Sequence, residues 1–158
     1  MANWKLHKGP KEAQEFFDQL LKLSTEDLES HMVVLPPAVN WTVCADILNQ
    51  TFVRWGAQNT YKESEGAFTG ENSAEVLKSL GGRVALVGHS ERRRVFSESN
   101  QLISEKLVHL QNLGLIPLLC LGETLEERES AQTVAVLREQ LTEGLKNCNT
   151  KAPLWVAY

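Results

Sequence analysis

The chain has 158 residues, 42% of them apolar and 23% charged, which is enough to bury one hydrophobic core and ordinary for a globular protein. A formal charge of −4 argues against a general nucleic-acid binder, which is normally basic. No apolar run approaches the roughly 20 residues of a membrane span, and the start, Met1-Ala-Asn-Trp-Lys5, carries no apolar secretory signal.

Short apolar, β-branched runs alternate with longer helical patterns. Asn3-Trp-Lys5 closes a first short strand. Pro10 suits the first position of a helix whose Ala13, Phe16, Phe17, Leu20 and Leu21 form one apolar face. The runs 32–35, 52–56 and 83–87 follow as strands, ending at Pro36-Pro37, Ala57-Gln-Asn59 and Gly88-His-Ser90 respectively. Ile103, Leu107 and Leu110 mark another helix, with Gly114 as its stop. The run 115–120 is a strand despite Pro117, which removes a ladder donor. Thr124 and Glu127 read as a capping box opening a long helix with Val134, Leu137, Leu141 and Leu145 on one stripe. A last strand covers 154–158.

Continuous apolar strands of this kind are buried on both faces, as in parallel sheets. The expectation is a single α/β domain over residues 1–158, about six parallel strands with five helices. Periodicity alone does not separate an open doubly wound sheet from part of a barrel. No GxGxxG or GxxxxGK[ST] motif supports dinucleotide or P-loop chemistry, and no cofactor is expected. Cys44, Cys120 and Cys148 lack CxxC spacing, which fits free thiols in a reducing compartment. His7, His31, His89 and His109 make no metal pattern. The expected setting is a metal-free, cytoplasmic protein. The basic knot Arg92-Arg93-Arg94 reads as a solvated helix turn or as local ion pairs with Glu91 and Glu98, ahead of a polyanion patch.

Chemistry in parallel α/β folds gathers at the carboxyl ends of the strands. Those places carry Asn3-Trp-Lys5, Ala57-Gln-Asn59, Gly88-His-Ser-Glu-Arg-Arg93 and Cys120-Leu-Gly-Glu123, with Gly66-Ala-Phe-Thr-Gly-Glu71 in the long loop after the third strand. In order and spacing these resemble the triosephosphate isomerase family. The resemblance implies an incomplete TIM (β/α) barrel and descent from an enzyme that interconverts glyceraldehyde 3-phosphate and dihydroxyacetone phosphate. It implies a catalytic Lys5 that neutralises phosphate and enediolate charge, Asn3 orienting it and binding substrate with it, and His89 as electrophile. Glu91 and Glu98 would belong to the histidine's network, and Cys120 would be a buried neighbour. Gly66, Phe68, Thr69, Gly70 and Glu71 would form the loop that enters a second subunit.

Independently of the family, moving a proton between adjacent carbons needs a base and a group that stabilises charge on the substrate oxygens. A histidine opening a helix is disfavoured as imidazolium by the helix dipole, so its neutral ring can donate to an oxyanion. The family's sixth strand leads into a glutamate base, a lid loop and two further β/α units that hold phosphate, whereas this sequence runs to Tyr158. The expectation is therefore negligible isomerase activity for these residues alone. Homo-oligomerisation through edge strands, the core face or the 66–71 loop is expected as well. Two other readings stand beside it: an enzyme in which a partner chain or a carboxylate such as Glu123 replaces the base, and a non-catalytic phosphate- or RNA-binding scaffold.

Overall fold

The computed structural model describes residues 1–23 and 32–158, and His31 lies outside them. Six strands form one parallel sheet: β1 (Ala2–Asn3), β2 (Val33–Leu35), β3 (Arg54–Ala57), β4 (Val84–Val87), β5 (Ile116–Cys120) and β6 (Trp155–Ala157). Their spatial order is their sequence order, β1 to β6. A doubly wound sheet reverses direction at a switch point, and this one never does. The chain is thus an incomplete α/β barrel, curled with β1 and β6 outermost. Pro117 lies within β5 opposite Ala85, so the ladder tolerates it.

The helices are α1 (Pro10–Leu23), α2 (Trp41–Leu48), α3 (Ala74–Ser79), α4 (Ser90–Val95), α5 (Asn100–Asn112), α6 (Leu125–Glu129) and α7 (Thr133–Leu145), with a 3₁₀ turn at Ala38–Asn40. Among the described residues two connections hold two helices each, α4 with α5 and α6 with α7, so five helical connections contain seven helices. The capping box expected at Thr124 is present. The long helix expected after it instead breaks at once. The amides of Ala131 and Gln132 bond back to the carbonyls of Arg128 and Glu127, which is a Schellman stop with Ala131 at φ +57°. Alanine is a rare residue for that conformation, so the composition carried no stop signal. Helix α5 stops the same way at Gly114, φ +72°, as its glycine announced.

Side chains alternate across the sheet and build two apolar clusters. Val34, Trp55, Ala85, Val87 and Leu119 face outward and pack with Phe17, Leu48, Leu77, Ile103, Leu107 and Leu110 from the helices. Val33, Leu35, Val84, Leu86 and Leu118 face inward as a smaller cluster bordered by Cys120 and Trp155. Trp4 belongs to the outer core, with its ring 5.3 Å from Phe17 and 5.2 Å from Phe16. Burying it between Asn3 and Lys5 fixes which way these two polar neighbours lie. The carboxyl ends of β1, β4 and β5 thereby come together above the inner cluster.

Candidate active site

Lys5 follows β1 with a left-handed backbone, φ +50°, a strained conformation for a residue with a Cβ. Two contacts hold it there: its N–H donates to Asn3 Oδ1 at 2.9 Å, and Gln58 Nε2 donates to its carbonyl at 3.0 Å. The same Gln58 nitrogen also donates to the carbonyl of Leu35 at 2.8 Å, tying β1 to β2 at their ends. The Lys5 ammonium reaches Glu91 Oε1 at 2.8 Å with both side chains half exposed. That hydrogen bond holds the Glu91 carboxyl below its usual range.

His89 leaves β4 and caps α4, its Nδ1 accepting the N–H of Glu91 at 3.3 Å. A ring nitrogen that accepts a hydrogen bond carries no hydrogen of its own, so in the neutral ring the hydrogen belongs on Nε2. Gly88 before it has φ +70°, and a Cβ there would sit 2.9 Å from the Arg93 guanidinium and 3.0 Å from Ile103. Arg93 is the clamp behind the histidine. It donates to the Gly88 carbonyl at 2.7 Å, to Asn100 Oδ1 at 2.6 Å and to the Cys120 carbonyl at 3.2 Å. Burial lowers its pKa from the ordinary arginine value. Arg92 is committed as well, to Glu98 at 2.5 Å, so two of the three clustered arginines serve internal bonds.

A cleft of about 280 Å³ opens at these strand ends, lined by Asn3, Leu35, Leu86, His89, Ser90 and Cys120, with Ala157 and Tyr158 closing one side. It is close to the lower end of small-ligand pockets, about 300 Å³. The Cys120 thiol is pushed up to about 11 by burial, which leaves it unreactive. Glu123 is engaged through one oxygen. Its Oε1 accepts from Arg128 Nε at 2.7 Å, from the Tyr158 hydroxyl at 3.1 Å and from Thr133 at 3.2 Å. The Arg128 bond foremost holds its carboxyl at about 2, so it is a poor general base near neutrality.

The structure brings Asn3, Lys5, His89 and Glu91 together and sets Glu98 apart. Glu98 is buried with Lys106 and Arg92 and makes no bond to His89. Gly66, Phe68, Thr69, Gly70 and Glu71 are exposed in the 58–73 loop, pinned where Tyr61 N–H meets the Asn72 carbonyl and where the Tyr61 and Phe68 rings touch. Sequence reasoning missed the roles of Gln58, Arg93 and Lys106. Lys106 had a signal: position 106 lies on the stripe of Ile103, Leu107 and Leu110, where a lysine is out of place unless paired. Among the described residues no cluster of His, Cys, Asp or Glu could hold a metal, and no helix is long and apolar enough to cross a membrane.

The family profile described as triosephosphate isomerase matches residues 1–158. The chain is 48% identical over 157 residues to the triosephosphate isomerase of Bdellovibrio bacteriovorus, covering 99% of this chain and 65% of that protein. With the Dictyoglomus thermophilum protein of the same name it is 42% identical over 145 residues, 92% of this chain and 58% of the relative. For that of Thermus thermophilus the figures are 42% over 159 residues, 99% and 63%. The chain thus spans about three fifths of the length of these curated relatives.

Proposed function

The chain belongs to the triosephosphate isomerase family, and on that premise we propose that it carries the charge-stabilising half of an isomerase site for glyceraldehyde 3-phosphate and dihydroxyacetone phosphate. One observation carries the reading: the Glu91 amide donates to His89 Nδ1, which in the neutral ring makes Nε2–H the donor, on a ring that lines the cleft. Such a donor stabilises a developing oxyanion without giving up a full proton. Lys5 adds a positive charge whose partner, Glu91, is exposed enough for a phosphorylated substrate to compete with it. Asn3 contributes by holding the Lys5 backbone, and its place in the cleft suits a substrate contact.

The second half of the reading is that residues 1–158 alone turn over negligibly. Proton abstraction needs a carboxylate poised near neutrality, worth about 10²–10⁴-fold. Glu91 and Glu123 are both held below the usual carboxylate range, by Lys5 and by Arg128 foremost, so neither is poised near neutrality. We further place the protein in the cytoplasm, which suits its three free thiols. Its partner is a second copy. Supporting this are the exposed 66–71 loop and the exposed Phe96, Leu125, Val134 and Val156.

The test is an isomerisation assay on the purified chain beside its His89→Gln variant. The expected result is no turnover above the variant, together with shifts of the His89 and Lys5 resonances when glyceraldehyde 3-phosphate is added. Turnover that disappears in His89→Gln would show that a base is supplied after all. Resonances that ignore the substrate would remove the site assignment itself.

A further inference from the structure

A second polar cluster links the exposed 66–71 loop to helix α4. At one end is Glu71, on the exposed loop, whose Oε2 accepts from Asn59 Nδ2 at 3.1 Å. Asn59 Oδ1 accepts in turn from Lys106 Nζ at 2.7 Å. Lys106 donates to Glu98 Oε1 at 2.5 Å, and Arg92 Nε donates to the same oxygen. Arg92 belongs to α4, and its carbonyl accepts the amides of Phe96 and Glu98, while its guanidinium lies 4.6 Å from the Phe96 ring centre. One residue on, the Arg93 amide bonds the carbonyl of His89.

The cluster is built tightly. The side chains of Lys106 and Glu98 are 2% and 3% exposed. Glu71, Asn59, Lys106, Glu98 and Arg92 alternate so that two anions balance two cations, with one amide as a two-way bridge. Burial raises the Glu98 carboxyl, but the bonds from Lys106 and Arg92 outweigh it and keep the group ionised. Glu98 Oε2 is buried without a protein partner among the described residues, so both cations depend on one oxygen. The desolvated Lys106–Glu98 pair at its centre tolerates few alternative geometries, because either charge, if displaced, loses its partner without gaining water.

We propose that Lys106 is a positioning residue: it couples the order of the exposed 66–71 loop to the helix that presents His89, through Asn59 on one side and Glu98 with Arg92 on the other. A partner that fixes the loop thereby fixes the histidine. This rests on the reading of His89 as the electrophile, yet its measurement needs no turnover, so an inactive chain leaves the coupling testable and a silent coupling leaves the histidine's role intact.

The experiment reads the ¹⁵N signals of the His89 ring and amide exchange at Arg93 and Phe96 in the full 158-residue chain. Glu71→Ala and Asn59→Ala cut the relay at its solvent end, where neither strands a buried charge. Each is expected to speed exchange at Arg93 and Phe96 by about two- to tenfold, the equivalent of one net hydrogen bond, and to shift the His89 ring signals. Lys62→Met is the control: it breaks the ion pair with Glu105, also between this loop and α5 and 2.7 Å long, but outside the relay. It is expected to leave both readouts unchanged. Lys106→Met, if it folds, gives the larger effect. Glu71→Ala and Asn59→Ala variants in which the Tyr61 amide exchanges faster while Arg93, Phe96 and the His89 ring stay as they were would overturn the proposal, as would an equal response to Lys62→Met.

Discussion

Two lysine–glutamate pairs flank helix α4, and burial gives them opposite uses. Lys5 and Glu91 meet at 2.8 Å with side chains 52% and 42% exposed. Lys106 and Glu98 meet at 2.5 Å almost wholly out of water. In the first, solvent screens the attraction, and such pairs are worth about 0–1 kcal/mol. A substrate phosphate can therefore take the lysine at small cost. In the second, each charge has surrendered its hydration and depends on its partner, and removing one member typically costs about 3–5 kcal/mol. The lesson is that residue chemistry does not separate a ligand-binding cation from a structural one. The water around it does.

The largest expected effect comes from breaking the buried pair. Lys106→Met should lower unfolding free energy by about 3–5 kcal/mol, measured by urea denaturation, because it leaves Glu98 short of a partner. That is a large share of the roughly 5–15 kcal/mol that holds a typical domain together. A loss no greater than that of a surface substitution would mean that Glu98 finds water to replace the lysine.

Acid should sharpen the contrast at intermediate size. Glu98 titrates below its unfolded value in the folded chain, so its contribution is complete above the ordinary glutamate pKa of about 4.3 and is lost as pH falls through the folded value. Stability of the unmodified chain should therefore decline in acid, with a visibly shallower slope in Glu98→Gln. Glu91 shifts in the same direction through Lys5, but it is exposed and screened, so Glu91→Gln should keep most of the slope.

The smallest effects belong to the exposed pair. Lys5→Met should change stability by less than about 1 kcal/mol, and adding salt to the unmodified chain should erase part of that difference. The same substitution should abolish the resonance shifts produced by glyceraldehyde 3-phosphate. A large stability loss in Lys5→Met would show that this pair is structural as well, and the comparison would fail.

Much of this molecule was legible in its residues. The strand runs, the helix face of Phe16, Phe17 and Leu20, the capping box at Thr124 and the stop at Gly114 each depend on neighbours within a turn or two of chain, and each appears where expected. Asn3, Lys5, His89 and Glu91 were legible as strand-end polar residues, and the structure gathers them. The break between α6 and α7 was not, because Ala131 adopts a conformation that alanine seldom does and only surrounding structure imposes it. Glu98 was assigned to the histidine's surroundings, and it instead faces Lys106, 8 residues further along the chain.

By itself the sequence determined the alternation of strand and helix and the placing of polar side chains at strand ends, since both follow from local propensity and periodicity. Periodicity left the strand order open, and the strand-end motifs implied a barrel by resemblance. The order itself, which separates a barrel from a doubly wound sheet, depends on pairing between distant runs that only the tertiary structure shows. It alone decided the partners of the cations too: Arg92, Arg93 and Lys106 are ordinary cations in one dimension, and their roles arise where packing removes water and brings specific internal acceptors within reach.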